Sequence, residues 1–195
     1  MNWEWEPASL SEVAGLFSRV RVPWWIAGGY AIELAVGRAF REHADVDVLL
    51  LRRDQRAIQE ALPSWEWWAA DPPGTLRPWA RGEVLGDHID DVWCRPSASA
   101  PWRIQLMLDN ADGGAWVSRR NPAVRREIAS LGRISAEGVP YLAPEVQLFA
   151  KAHATRPKDE EDFEAALPVL DAAQRRWLAE ALEATYGPHP WLGRL

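Results

Sequence analysis

Apolar residues recur at Val13, Leu16, Phe17 and Val20, behind a Ser9-Leu10-Ser11-Glu12 run with capping-box spacing, which predicts a first helix over 9–19. Trp24-Trp25-Ile26-Ala27 is short, aromatic and apolar and stops at a double glycine, the pattern of a buried strand. Residues 30–36 suit a short helix ended by Gly37, and 38–44 are polar and loop-like. The β-branched and aliphatic stretch 45–51 predicts a central strand, and 53–62 a helix up to Pro63. Strands are expected over 65–70, 86–95 and 102–109, separated by turn-rich segments such as 96–101. A hairpin follows over 133–142 with Glu137-Gly138 at its tip. From Pro144 the period becomes helical over 144–154, 158–170 and 171–186, the last capped by Asp171 and Gly187. The order predicts an α+β fold, with a core over 1–130 and a hairpin and helical subdomain over 131–195.

Composition narrows the class. A chain of 195 residues, 48% hydrophobic and 26% charged, suits one globular domain or a core with a small appendage. It has no run of about 18 apolar residues, so no membrane helix is expected. The acidic start Met1-Asn2-Trp3-Glu4-Trp5-Glu6 lacks the basic-then-apolar order of a signal peptide. A single cysteine, Cys94, excludes an internal disulfide and a cysteine-based zinc cluster. These features predict a cytoplasmic protein. A net charge of −6 argues against a long phosphate backbone, and so a nucleic acid, as partner. The 13 tryptophans either fill a core or, at Trp65, Trp67, Trp68 and Trp79, wall a pocket for a flat or sugar-like ligand.

The chemistry gathers between Trp25 and Val48. On a strand, Asp45 and Asp47 share one face while Val46 and Val48 point the other way. Two carboxylates that close repel unless a cation lies between them. Hard oxygen ligands favour magnesium, which keeps several waters and shares its shell with a nucleotide's phosphates. Gly28-Gly29, at a strand end before a helix, lets backbone approach a phosphate with no side chain in the way. Each feature alone is ordinary. Their order and spacing together describe a site for phosphoryl or nucleotidyl transfer.

The segment 24–51 resembles the DNA polymerase β-like nucleotidyltransferase superfamily, and most of all its aminoglycoside 2″-nucleotidyltransferase and lincosamide nucleotidyltransferase branch. The residues that carry the resemblance are Ile26, Gly28, Gly29, Tyr30, Ala31, Glu33, Gly37, Arg38, Arg41, His43, Asp45 and Asp47, in that order. Tyr30 stands where the family often has Trp, and Glu33 where Asp is common. The resemblance implies a mixed sheet flanked by helices. It further implies transfer of a nucleoside monophosphate, AMP from ATP, to a hydroxyl of a small molecule, with two magnesium ions held by Asp45 and Asp47. A third carboxylate on a neighbouring strand would complete the metal site or act as general base. Asp109, ending an apolar strand whose face also carries Gln105 and Met107, is the first choice, with Asp90 and Asp91 as competitors. Gly28, Gly29 and Tyr30 would cradle the nucleotide, with Arg38 and Arg41 offsetting phosphate charge.

Only two of the 22 basic residues are lysines, Lys151 and Lys158. A compact ammonium suits a triphosphate oxygen. Related sequences place a helix lysine near the nucleotide, followed by a Lys-Asp-x-x-Asp segment, here Lys158-Asp159-Glu160-Glu161-Asp162. Both lysines are therefore nucleotide-binding candidates, against the alternative of a surface pair between Lys158 and Asp162. His43 is not assigned as a ligand, and Cys94 is expected to be an inert strand residue. Asp87, Asp90, Asp91, Asp109 and Asp112 either suit a cationic acceptor such as an aminoglycoside or are solvated turns. Two rival readings remain: a toxin-type enzyme acting on RNA or protein, and a member of the superfamily that binds nucleotide without catalysis.

Overall fold

The computed structural model describes residues 4–195; the first three residues of the acidic start lie outside it. In chain order the strands are β1 (Trp24–Ile26), β2 (Asp47–Leu51), β3 (Glu66–Ala70), β4 (Leu76–Pro78), β5 (Asp91–Arg95), β6 (Ile104–Asp112), β7 (Ala115–Val117), β8 (Arg125–Glu127), β9 (Gly132–Ile134) and β10 (Pro140–Leu142). The helices are α1 (Leu10–Phe17), α2 (Gly28–Val36), α3 (Ala57–Ala61), α4 (Pro144–Lys151), α5 (Pro157–Ala166) and α6 (Ala172–Tyr186). Packing divides them into two units, Met1–Ile26 with Glu42–Asn110, and Ala27–Arg41 with Ala111–Leu195. None of the described helices is long and apolar enough to cross a membrane.

The first unit is a mixed sheet in the order β4-β3-β5-β6-β2-β1. Only β2 and β6 run parallel; the other pairs are antiparallel. The register sorts its two faces. Val48, Leu106, Val92 and Ala69 form one cross-strand row and are fully buried. Asp47, Gln105, Trp93 and Trp68 form the opposite row and stay partly exposed. The helix α1 begins as its sequence demands, with Ser9 Oγ accepting from Glu12 N and Glu12 Oε2 accepting from Ser9 N. Its Phe17 ring lies 4.9 Å from that of Trp24, whose strand partner is Leu50, so α1 covers the buried face.

The helix predicted over 53–62 is broken into a 3-10 turn, Arg52–Asp54, and the short α3. Two side chains turned inward account for the break. Gln55 Nε2 donates to Arg52 O and Gln55 Oε1 accepts from Leu85 N, while the Arg52 guanidinium is buried. The strand predicted over 86–95 is likewise shortened to Asp91–Arg95, because Arg52 holds 86–90 as a loop.

In the second unit, β9 and β10 form the expected hairpin, with Gly138 at φ 81° in its turn. Asp171 and Gly187 cap α6 as the sequence predicts. The pair β7–β8 was not legible: Ala115-Trp116-Val117 is too short to show a period, and Arg125-Arg126-Glu127 is wholly charged. Phe163 stacks on Trp191 at 4.3 Å in the core. Glu145, fully buried, is neutralised by Arg126 at 2.7 Å and accepts from Gln174 Nε2 at 2.6 Å.

Candidate functional site

Asp45 and Asp47 stand at the head of β2. Gln105 N donates to Val46 O at 2.9 Å, so the ladder with β6 already runs at Val46, between the two aspartates. Val46 is fully buried while both aspartates are partly exposed, the alternation that puts the carboxylates on one side. Beside Asp47 in the register lies Gln105, whose Nε2 donates to Asp91 Oδ1 at 3.2 Å. Asp91 thus shares the face of Asp47 and is joined to its row by a direct hydrogen bond. Asp109 shares that face too, but it pairs with Leu51, four residues past Asp47 and so about 13 Å further along the strand. The third competitor, Asp90, is committed to Arg52 Nη2 at 2.8 Å. Among the described residues, no three His, Cys, Asp or Glu side chains come together as a metal cage. The Asp45–Asp47 pair still suits magnesium, which binds through one or two carboxylates plus the substrate's phosphates.

Of the other acidic residues, Asp87 and Asp90 face the same Arg52 guanidinium, at 3.8 and 2.8 Å. Asp87 is exposed, His88 Nε2 lies 3.4 Å from Asp71, and Asp112 pairs with Arg125. Cys94 is fully buried, its Sγ donating to Ile104 O at 3.2 Å, and burial pushes its thiol pKa up, as expected of an inert residue.

The tryptophans fill the core and also line a cleft. Trp67 and Trp79 are core residues, 7% and 4% exposed, yet with Trp65 and Trp68 they line a cleft of about 350 Å³. Of the four, only Trp68 belongs to the Asp47 row; Trp67 lies on the opposite sheet face. The cleft is therefore not simply a wall of the aspartate face.

In the second unit, Gly28 opens α2 at φ 65°, a left-handed conformation that a Cβ would strain. Its N–H is already spent on Gln147 Oε1 at 2.8 Å, a partner that sequence reasoning missed. An anion at this end would meet the amides after Gly28. Gly28→Ala should lower stability by roughly 1–2 kcal/mol, read from the denaturant midpoint; an unchanged midpoint would show that the positive φ is dispensable. Glu33, buried, accepts from Phe40 N and Arg41 N at 2.9 and 3.3 Å and folds the loop after Gly37 back on the helix. Arg38 is exposed; Tyr30 and His43 are partly buried.

Arg41 and Lys151 are brought together by α5. Asp162 accepts from Arg41 Nε and Nη2 at 2.7 and 2.9 Å and lies 2.8 Å from Lys151 Nζ. Lys151 Nζ also donates to Asp159 at 3.1 Å, and Asp159 accepts from Arg156 Nε at 2.8 Å. The side chains of Asp159 and Asp162 are 1% and 0% exposed, and that of Lys151 7%. Burial opposes the ionisation of both carboxylates, but their cationic partners outweigh it, holding Asp159 at about 2 and Asp162 below the usual range. Two of the three N–H groups of Lys151 are thus taken by carboxylates. Lys158 is exposed, and the partners of Asp162 are Arg41 and Lys151 rather than Lys158.

Known proteins resemble the chain in part of its sequence and in its fold. Residues 9–70, about a third of the chain, match the aminoglycoside-2″-adenylyltransferase family. No curated protein matches the sequence. Among solved structures, ANT(2″)-Ia in complex with adenylyl-2″-tobramycin aligns at TM-score 0.55 and 14% identity, over 88% of this chain and 94% of that one. The lincosamide antibiotic adenylyltransferase LnuA, bound to lincomycin, aligns at TM-score 0.54 and 16% identity, over 83% and 96%. The solution structure of the antibiotic-resistance factor ANT(2″)-Ia aligns at 0.51 and 20%, over 89% of each chain. The resemblance read from residues 24–51 is borne out as a resemblance: it lies within the segment that matches the family, and the fold is the one shared by these adenylyltransferases.

Proposed function

We propose that this protein is a nucleotidyltransferase that moves AMP from ATP to a hydroxyl of a small antibiotic-like molecule in the cytoplasm. The observation that carries the reading is the Asp45–Asp47 pair at the head of β2, on the partly exposed face where Gln105 draws in Asp91. Asp45 and Asp47 would hold magnesium, which when bound would offset charge on the triphosphate and on the pyrophosphate. The register favours Asp91 over Asp109 as the third carboxylate. Asp91 takes the acceptor's proton, the freed oxygen attacks the α-phosphorus, and the bond from that phosphorus to the pyrophosphate oxygen breaks.

Within the second unit, the amides that follow Gly28 and the positive charge of Arg38 and Arg41 suit phosphate oxygens. Lys151 supports that charge from inside the ion-pair network: its three cations, Arg41, Lys151 and Arg156, exceed its two carboxylates by one. The proteins of similar fold were solved with adenylyl-tobramycin and with lincomycin, which makes those two antibiotics the first acceptors to try.

The test is purified protein with magnesium, labelled ATP, a panel including tobramycin and lincomycin, and bulk tRNA, followed by mass spectrometry. An adenylylated small molecule is expected. A product confined to tRNA, with a steep log–log salt dependence of binding, would replace the acceptor class with RNA. No product on any acceptor, together with no magnesium-dependent ATP binding, would remove the catalytic reading.

A further inference from the structure

Arg52 is an unusual residue to find inside a sheet unit. It follows the last residue of β2, and its side chain is 8% exposed. Its five N–H donors meet five acceptors. Nε donates to Asn110 Oδ1 at 2.9 Å; Nη1 to Gly86 O and Ile89 O at 2.9 and 2.6 Å; Nη2 to Asp90 Oδ1 and Leu108 O at 2.8 and 3.2 Å. Burying a guanidinium is costly, and a strand end can be closed with backbone bonds alone. The acceptors are also selective. All belong either to the segment leading directly into Asp91 or to the far end of β6, whose near end carries Gln105. A backbone bond from Leu108 N to Asp90 O, 2.8 Å, ties the same two segments.

We propose that Arg52 is a positioning residue for the third carboxylate. It clamps residues 86–90 onto β6 and so fixes where β5 begins. The Asp91 carboxylate is thereby delivered to Gln105, in the row of Asp47. The planar fork is what the task requires, since a lysine ammonium cannot reach acceptors on two segments in one plane. This inference rests on the reading of Asp91 as the third carboxylate.

The test combines Arg52→Lys with the milder Asn110→Ala, which removes one contact and keeps the variant set usable if Arg52→Lys folds poorly. The first readout needs no substrate: the NMR signal of the Gln105 side-chain amide, compared with that of Asp91→Asn. In Arg52→Lys it should move towards its position in Asp91→Asn, and in Asn110→Ala part of the way. A signal unmoved by either clamp variant overturns the proposal. The second readout is transfer from ATP to tobramycin or lincomycin. The kcat of Arg52→Lys should fall about 10- to 100-fold with the KM for ATP little changed. In the Asp91→Asn background the same substitution should cost nothing further. Losses that multiply in the double variant would reduce Arg52 to a merely stabilising role. Full transfer by Asp91→Asn alone would instead sink the third-carboxylate reading, while the amide signal still judges whether Arg52 places Asp91.

Discussion

Asp47→Asn, and separately Asp45→Asn, should reduce nucleotidyl transfer by roughly a thousandfold or more while leaving the unfolding midpoint unchanged or slightly raised. An Asn keeps the size of the side chain and removes its charge. Both aspartates are partly exposed and flank fully buried Val46, so the apolar face of β2 is untouched by the change. The neighbouring carboxylate also loses a like charge that costs stability when no cation is present. Magnesium-dependent ATP binding should be lost with activity in both variants. Near-normal turnover in either would mean that the metal is held elsewhere or not needed.

The second large effect is on stability. Asp162→Ala should destabilise the second unit by about 3–5 kcal/mol, because it leaves Arg41 and Lys151 next to a buried, uncharged site. Asp162→Asn keeps the volume but still removes the charge that two cations share, so it should recover little of that loss. The network also sets an acid limit. Asp159 is held at about 2 and Asp162 is lowered, and a depressed native pKa gives stability that is present above the unfolded value, near 3.9. That stability is lost as pH falls from about 4 through about 2. Acid unfolding followed by circular dichroism should show a transition in this window. In Asp162→Ala the transition should move to higher pH; if the two curves coincide, the network contributes nothing to acid resistance.

Much of this was legible in the sequence, for reasons that differ by element. Helices α1 and α6 carry their own caps, Ser9 with Glu12 and Asp171 with Gln174, so local chemistry sets where they begin. The Gly28-Gly29 turn and the two aspartates were visible because their spacing is local. What could not be read is whatever depends on register. Asp91 and Asp109 look equivalent along the chain, and only the pairing of β6 with β2 and β5 separates them. The partners of Lys151 and Gly28 were hidden for a similar reason: Asp162 and Gln147 reach them through helix packing, which leaves no fixed spacing between loop and helix. The Arg52 clamp was invisible because an arginine after an apolar strand ordinarily points to water.

The scarcity of lysine turns the ion-pair network into a clock. Within residues 1–195, amine-reactive reagents at mildly alkaline pH have two side-chain amines to attack, Lys158 and Lys151. Lys158 is open to them, whereas the Lys151 ammonium is paired with two carboxylates and 7% exposed. Lys158 therefore offers a single internal anchoring point for a dye or a surface, with Lys151 largely spared at short times. Slow acylation of Lys151, followed by peptide mass spectrometry, would count the moments when the α4–α5 network comes apart. Whatever slows that count, nucleotide included, binds the closed network more tightly than the open one.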